Sequence, residues 1–196
     1  MKIEYEVKVP DSDFKTVKAK LKKMGGTCVS KRRLMKRWIL DYEDVSLQEK
    51  NCYVRVRDEG DRITTTFKSV DALTVDGTKE LETEVKDAQA LISIYEKLNL
   101  KVHSYQETYR ESWKLDGIEI EFDEWPWIEP FFEIETHSEE EVRSLVDRLG
   151  YNWNDVMPGD VIQCYQKIFN IEDQIIARAP EIKFGPVPDW LEKTRR

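Results

Sequence analysis

Charged residues occupy alternate positions from the very start of the chain, with Glu4, Glu6 and Lys8 set between Ile3, Tyr5, Val7 and Val9. In a strand, side chains two apart share a face, so the three charges lie together and the apolar residues lie opposite. The alternation returns in Arg55 and Arg57, in Arg62 and Lys68, and in Glu80, Glu82 and Glu84. Glu119, Glu121 and Asp123 follow it, and so do Glu133 and Glu135. A single pair of this kind reads as a solvated outer face. Repeated over so many strands it reads differently, because the alternate faces (Val54/Val56, Ile118/Ile120/Phe122, Phe132/Ile134) suit packing beneath helices. A closed or strongly curved sheet then gathers the charged faces around one polar interior.

The order of elements agrees with such a sheet. Pro10-Asp11-Ser12 opens an expected helix in which Phe14, Val17, Leu21 and Met24 are three or four apart, ending at Gly25-Gly26. Its lysine-rich face, Lys15 to Lys23, reads as solvated. A strand from Thr27 to about Tyr42 follows, whose basic residues Lys31, Arg32, Arg33, Lys36 and Arg37 keep no single parity. Glu59-Gly60-Asp61 and Asp116-Gly117 mark hairpin turns, and Asp76-Gly77 precedes the strand around Lys79 to Lys86. Residues 87 to 98 read as a second helix, and Ser138 with Glu141 gives the capping-box spacing of a third. The predicted fold class is α+β: a closed or nearly closed eight-stranded antiparallel β-barrel with helices packed outside. Residues 1–170 form the expected barrel domain. Residues 171–196, with Pro180, Pro186 and Pro188, form a tail that frays or lies across the body.

With 196 residues, 40% of them hydrophobic, the chain can bury a sizeable core. Its net charge of -8 argues against nucleic acid or an anionic membrane as partner. No apolar run approaches the roughly 20 residues of a membrane span, and the polar N-terminus lacks a secretory core, so a cytoplasmic protein is expected. Cys28, Cys52 and Cys164 have neither zinc nor redox spacing and read as reduced thiols. His103 and His137 have no metal-like spacing. The expected quaternary state is a monomer or homodimer.

Glu4-x-Glu6-x-Lys8, Arg55-x-Arg57, Lys68, Glu82-x-Glu84, Arg110, Asp123 and Glu133-x-Glu135, in this order from Met1 to about Tyr165, resemble the CYTH family, the triphosphate tunnel metalloenzymes. The resemblance implies an eight-stranded tunnel that holds a triphosphate-bearing small molecule with Mg2+ or Mn2+. Lys8, Arg55, Arg57, Lys68 and Arg110 suit the phosphate oxygens, since lysine and arginine offset such charge when it leaves water. Carboxylates in the same site repel the substrate unless a divalent cation lies between them. Glu4, Glu6, Glu133 and Glu135 match the family's metal-associated acids; Asp123 and Glu84 are secondary candidates for that role, and are otherwise expected to bind substrate or orient the arginines. Two positions depart from the pattern: Thr108 and Glu80 stand where family members often carry a basic residue, unless Lys31, Arg33, Arg37 or Lys79 substitutes.

Residues 123–135, with Trp125-Pro126-Trp127, resemble a loop of the class IV adenylate cyclase-like subgroup. Trp125 and Trp127 suit packing at the barrel rim more than stacking on a base. The leading expectation is divalent-metal-dependent hydrolysis of inorganic triphosphate or a small organic triphosphate, with Glu4, Glu6, Lys8, Arg55, Arg57, Lys68 and Arg110 as the catalytic set. Cyclisation of ATP to cyclic AMP and a non-catalytic polyphosphate- or nucleotide-binding module are the alternatives.

Overall fold

A computed structural model describes residues 1–10 and 12–196; Asp11, in the expected helix opening, lies outside the described residues. Eight strands make the barrel: β1 (Lys2–Val9), β2 (Thr27–Tyr42), β3 (Cys52–Asp58), β4 (Ile63–Val70), β5 (Thr78–Val85), β6 (Leu100–Leu115), β7 (Ile118–Glu124) and β8 (Phe131–Thr136). Their order is β6-β2-β3-β4-β5-β1-β8-β7, all antiparallel, and β7 returns to β6 to close the wall. Closure leaves no free edge around the ring. At the β6–β7 hairpin, Asp116 and Gly117 both have positive φ, 52° and 87°, as a tight two-residue turn of this hand requires.

Helix α1 (Phe14–Lys23) starts at Asp13, whose carboxylate accepts from the Lys15 N–H at 3.1 Å and the Thr16 hydroxyl at 2.6 Å. Helix α2 is Ala88–Lys97, and α3 (Glu139–Leu149) is capped by Ser138, which accepts from the Glu141 N–H at 3.3 Å. The three helices cover the outside of the barrel. Val7, Phe122, Phe132 and Ile134 meet Val17 and Leu21 of α1 and Val142 and Leu145 of α3, while Leu40 and Val56 meet Ile92 of α2. Period 2 on the strands and period 3.6 on the helices thus build the core between wall and helices. The bore inside the wall stays polar. Among the described residues no helix is long and apolar enough to cross a membrane.

Beyond the barrel come β9 (Met157–Pro158) paired with β1, α4 (Ile162–Ile168), α5 (Asp173–Ala177), β10 (Glu181–Ile182) parallel to β6, and α6 (Asp189–Glu192). The C-terminal segment lies across the body. Ile176, Ile182 and Leu191 are buried with Phe131, Tyr165 and Phe169, and the Arg196 N–H donates to the Ile168 carbonyl at 2.9 Å. The cysteines are free thiols, with Cys164 buried.

Leu145 is fully buried where α3 meets the wall. Leu145→Ala is expected to lower unfolding free energy by about 2–5 kcal/mol in urea titration, with far-UV dichroism of the folded state unchanged.

Candidate active site

The charged strand faces enclose a cavity of about 240 Å³. Its wall is divided by sign. Adjacent strands β6, β2, β3 and β4 contribute Arg110, Arg33 and Arg37, Arg55 and Arg57, and Lys68. The other contiguous half, β5, β1, β8 and β7, contributes Glu80 and Glu82, Glu4 and Glu6, Glu133 and Glu135, and Glu119 and Glu121. Register sets like charges directly opposite: Arg37 faces Arg57, Arg33 faces Arg110, Glu6 faces Glu135, and Glu121 faces Glu133. Such pairs repel, so each half needs ions of the opposite sign within reach.

Lys8 and Lys68 supply them to the acidic half. Lys8 Nζ lies 3.2 Å from Glu133 and 3.9 Å from Glu6, and it donates to the Gly159 carbonyl. Lys68 Nζ lies 2.9 Å from Glu4 and 3.7 Å from Glu6. At the mouth, Lys2 is 2.7 Å from Glu135. In the basic half, buried Glu59 of the β3–β4 turn receives Arg33 at 2.7 Å, Arg57 at 2.8 Å and Arg62 at 3.1 Å. Across the β6–β7 seam, Arg110 donates through Nε and Nη2 to the two oxygens of Asp123, and through Nη2 to Glu133 at 2.8 Å.

The titration of these groups follows their enclosure. Burial works to discharge Lys8 and Lys68, but Glu133 and Glu6 overcome it and hold both ammonium groups well above the usual range. Burial likewise opposes ionisation of Glu133, yet Lys8 and Arg110 prevail and hold its carboxyl far down. Burial raises Glu80 to about 7, helped by the charge of Glu4 and a hydrogen bond shared with it. Glu121 is pushed up to about 7, chiefly by burial and against the attraction of Arg110. Glu135 is raised by burial, which outweighs its bond to Lys2.

These features fit a hard divalent cation. The acids of that half present carboxylate oxygens, the donors that magnesium and manganese prefer, with Lys2 and Lys8 of β1 beside them. Glu4 and Glu80 stand close enough to share a proton, and the enclosed Glu4 Oε2 accepts no aligned hydrogen bond, although Lys68 is near. Among the described residues no three acidic, histidine or cysteine side chains converge tightly enough to cage an ion alone. Glu4 and Glu6, with Glu133 and Glu135, would hold one in company with substrate oxygens.

Of the residues singled out from the sequence, Glu4, Glu6, Lys8, Arg55, Arg57, Lys68, Arg110, Glu133 and Glu135 all line the cavity. Asp123 stands behind Arg110, buried. Glu84 shares their parity but is exposed at the end of β5, beyond the cavity lining. Thr108 and Glu80 line the bore. Of the proposed substitutes, Arg33 and Arg37 face inward, whereas Lys31 is exposed and Lys79 lies outside, 2.6 Å from Asp71. Trp125 is buried against Tyr165 and carries the Arg37 guanidinium 4.6 Å above its ring; Trp127 packs against the same C-terminal cluster. His103 bonds the Tyr42 carbonyl at 2.9 Å and His137 is exposed, both away from the bore. Sequence reasoning did not single out Glu59 or Tyr53 as site residues. Both continue the parity of Arg55 and Arg57, which could have revealed them; Glu59 lies in the turn just past the end of β3 and Tyr53 is uncharged.

Glu121 yields a signed expectation. An acid raised from 4.5 to about 7 holds its proton in the folded chain after the unfolded chain has released it. Stability therefore falls as pH rises through that window and levels off above about 7. Glu121→Gln is expected to unfold like the unaltered protein at pH 4.5, and at pH 8 to be more stable by up to about 3 kcal/mol, in urea titrations with chelator present.

Comparison with known proteins agrees with the fold. The "putative adenylate cyclase" of Methanocaldococcus jannaschii is 28% identical over 134 residues, 68% of this chain and 76% of that protein. A Pyrococcus horikoshii structure superposes with a TM-score of 0.68 at 24% identity, covering 83% of this chain and 99% of its own. A Hippeastrum structure, described as an adenylyl cyclase candidate that reveals a dominant triphosphatase activity, gives 0.55 at 18% identity, over 75% of this chain and 85% of its own. The CYTH domain model matches residues 2–157. The chain belongs to the CYTH domain family.

Proposed function

We propose that this protein hydrolyses the terminal phosphoryl group of inorganic triphosphate or a small organic triphosphate, with Mg2+ or Mn2+ as cofactor. The family is divalent-metal dependent, and its members are triphosphatases or adenylate cyclases. The observation that carries the reading is the division of the bore into a basic and an acidic half. A metal–triphosphate complex has the same division, phosphate oxygens on one side and a cation on the other.

Arg55, Arg57, Lys68 and Arg110, with Lys8 from the opposite wall, bind the phosphate chain and offset charge that grows on the transferred group. Their present carboxylate partners hold them in place beforehand, which limits reorganisation when substrate enters. Asp123 aligns Arg110 through a two-point contact. Glu4, Glu6, Glu133 and Glu135 would hold the cation. When bound, the cation polarises phosphoryl oxygens and lowers the pKa of water.

Cyclisation of ATP is the rival, and the name of the Methanocaldococcus relative supports it. Both reactions use the same charges, and positioning decides which phosphorus is attacked. Incubation with ATP or inorganic triphosphate and Mg2+ or Mn2+ is expected to release orthophosphate; cyclic AMP with pyrophosphate would establish the rival, and metal-linked binding without product would leave a binding module. Glu4→Gln combined with Glu6→Gln is expected to cut metal-dependent phosphate release at least a hundredfold with the dichroism spectrum retained. Unchanged turnover in that variant would reject the reading.

A further inference from the structure

We propose that Glu59 yokes Arg33 and Arg57 into a two-armed clamp for phosphoryl oxygens, which makes Arg33 a further phosphate-binding residue and Glu59 a positioning residue. The inference rests on the bore being a triphosphate site and deepens that reading by adding two residues to it.

Of the side chains that β2, β3, β4, β6 and the β3–β4 turn send into the bore, Glu59 is the one carboxylate among the described residues, and it is buried. An acid in the half that suits phosphate opposes the substrate unless it serves another end. Holding a metal is not that end. The Glu59 Oε2 meets Arg33 Nη2 at 2.7 Å and Arg62 Nε at 3.1 Å, and its Oε1 meets Arg57 Nη2 at 2.8 Å and Arg62 Nη2 at 3.2 Å. A carboxylate accepts in about four directions, and the guanidinium nitrogens take them all. Burial opposes its ionisation, but Arg57 and the bonds from Arg62 and Arg33 prevail and hold the carboxyl down at about 2. Glu59 therefore stays an anion with its donors fixed around it.

Two of the three arginines belong to the interior. The Arg62 side chain is 47% exposed, whereas those of Arg33 and Arg57 are 18% and 11% exposed. They come from different strands, and each stands opposite another arginine: Arg33 of β2 faces Arg110, and Arg57 of β3 faces Arg37. Like charges so placed push apart. Glu59 draws these two together, while Glu82 is farther from Arg57, at 3.5 Å. Arg33 also donates through Nη1 to Ser112 Oγ at 3.2 Å, which fixes the plane of its fork. The Nε of each arginine is enclosed and meets no acceptor, so both guanidiniums keep unused donors. Planar forks held at a set spacing match the oxygens of a phosphoryl group. Charge alone and positioning then predict opposite effects of neutralising Glu59. Removing an anion from the basic half strengthens attraction for triphosphate, whereas releasing the two guanidiniums deprives the transition state of aligned donors.

The test measures kcat, KM and calorimetric affinity of the full chain in Mg2+, with whichever of inorganic triphosphate and ATP the unaltered protein hydrolyses. Glu59→Gln is expected to lower kcat at least tenfold while KM and the dissociation constant stay within about threefold or fall, a split that a merely structural carboxylate would not produce. Should Glu59→Gln not fold, Glu59→Asp, which keeps the charge and shortens its reach, carries the same expectation. Arg33→Gln leaves Glu59 paired with Arg57 and Arg62 and is expected to weaken binding at least tenfold with the dichroism spectrum retained. In the double variant the two losses in kcat/KM are expected to fall at least about threefold short of multiplying, since both changes disable one clamp. Unchanged kcat in the Glu59 variant, unchanged affinity in Arg33→Gln, or losses that multiply in full would each overturn the inference while the triphosphatase reading stands. Hydrolysis of neither compound by the unaltered protein would overturn both.

Discussion

Opposite charges enclosed in one bore are the interaction on which the rest of this structure depends. Arg110 and Asp123 meet only because β7 closes onto β6, and Lys68 reaches Glu4 only because β4 and β1 both flank β5. An open sheet with the same alternating sequence would leave each half of the wall with repelling neighbours and no compensating partner across the seam. Closure and charge pairing are therefore one constraint: the barrel gathers the ions, and the ions tolerate gathering only in a barrel.

Such a bore contributes little net stability, because desolvating two ions roughly cancels their attraction. Stability comes from the other face of the same strands, where Val7, Phe122, Phe132 and Ile134 pack beneath α1 and α3 and Val56 packs beneath α2. Period 2 separates the two tasks residue by residue. The outer positions hold the fold, which leaves the inner positions free to carry an arrangement of charge that would be a poor core.

That same period made most of the site legible beforehand. On β1, β3, β7 and β8 the alternation is unbroken, and every acid or base assigned to the bore from β1, β3 and β8 lines it. Legibility failed where the backbone departs from regular pairing. Strand β2 shifts register between Cys28 and Ser30, between Ser30 and Arg33, and between Ile39 and Leu40. A bulge moves later side chains to the opposite face, so the basic run from Lys31 to Arg37 shows no parity, and pattern alone could not separate the inward Arg33 and Arg37 from Lys31. Glu84 is the converse case: its parity is right, but the strand carries it past the lining to the solvent. The short elements after Gly150 are too brief for either period to register, so their packing against Phe131 and Tyr165 could not be read from pattern.

The split wall also bears on how a ligand enters. A triphosphate alone would meet the basic half favourably and the acidic half unfavourably; a divalent cation alone would meet the reverse. Arriving together, each screens the other from the half that repels it, so the affinity of either rises when the other is bound. Linkage makes that coupling reciprocal. The geometry that fixes it is visible in the β1–β8 ladder, where Glu6 opposes Glu135 while Lys8, two residues on, opposes Glu133. Every acid of this ladder has a lysine near it: Lys8 for Glu133 and Glu6, and Lys2 for Glu135 at the mouth.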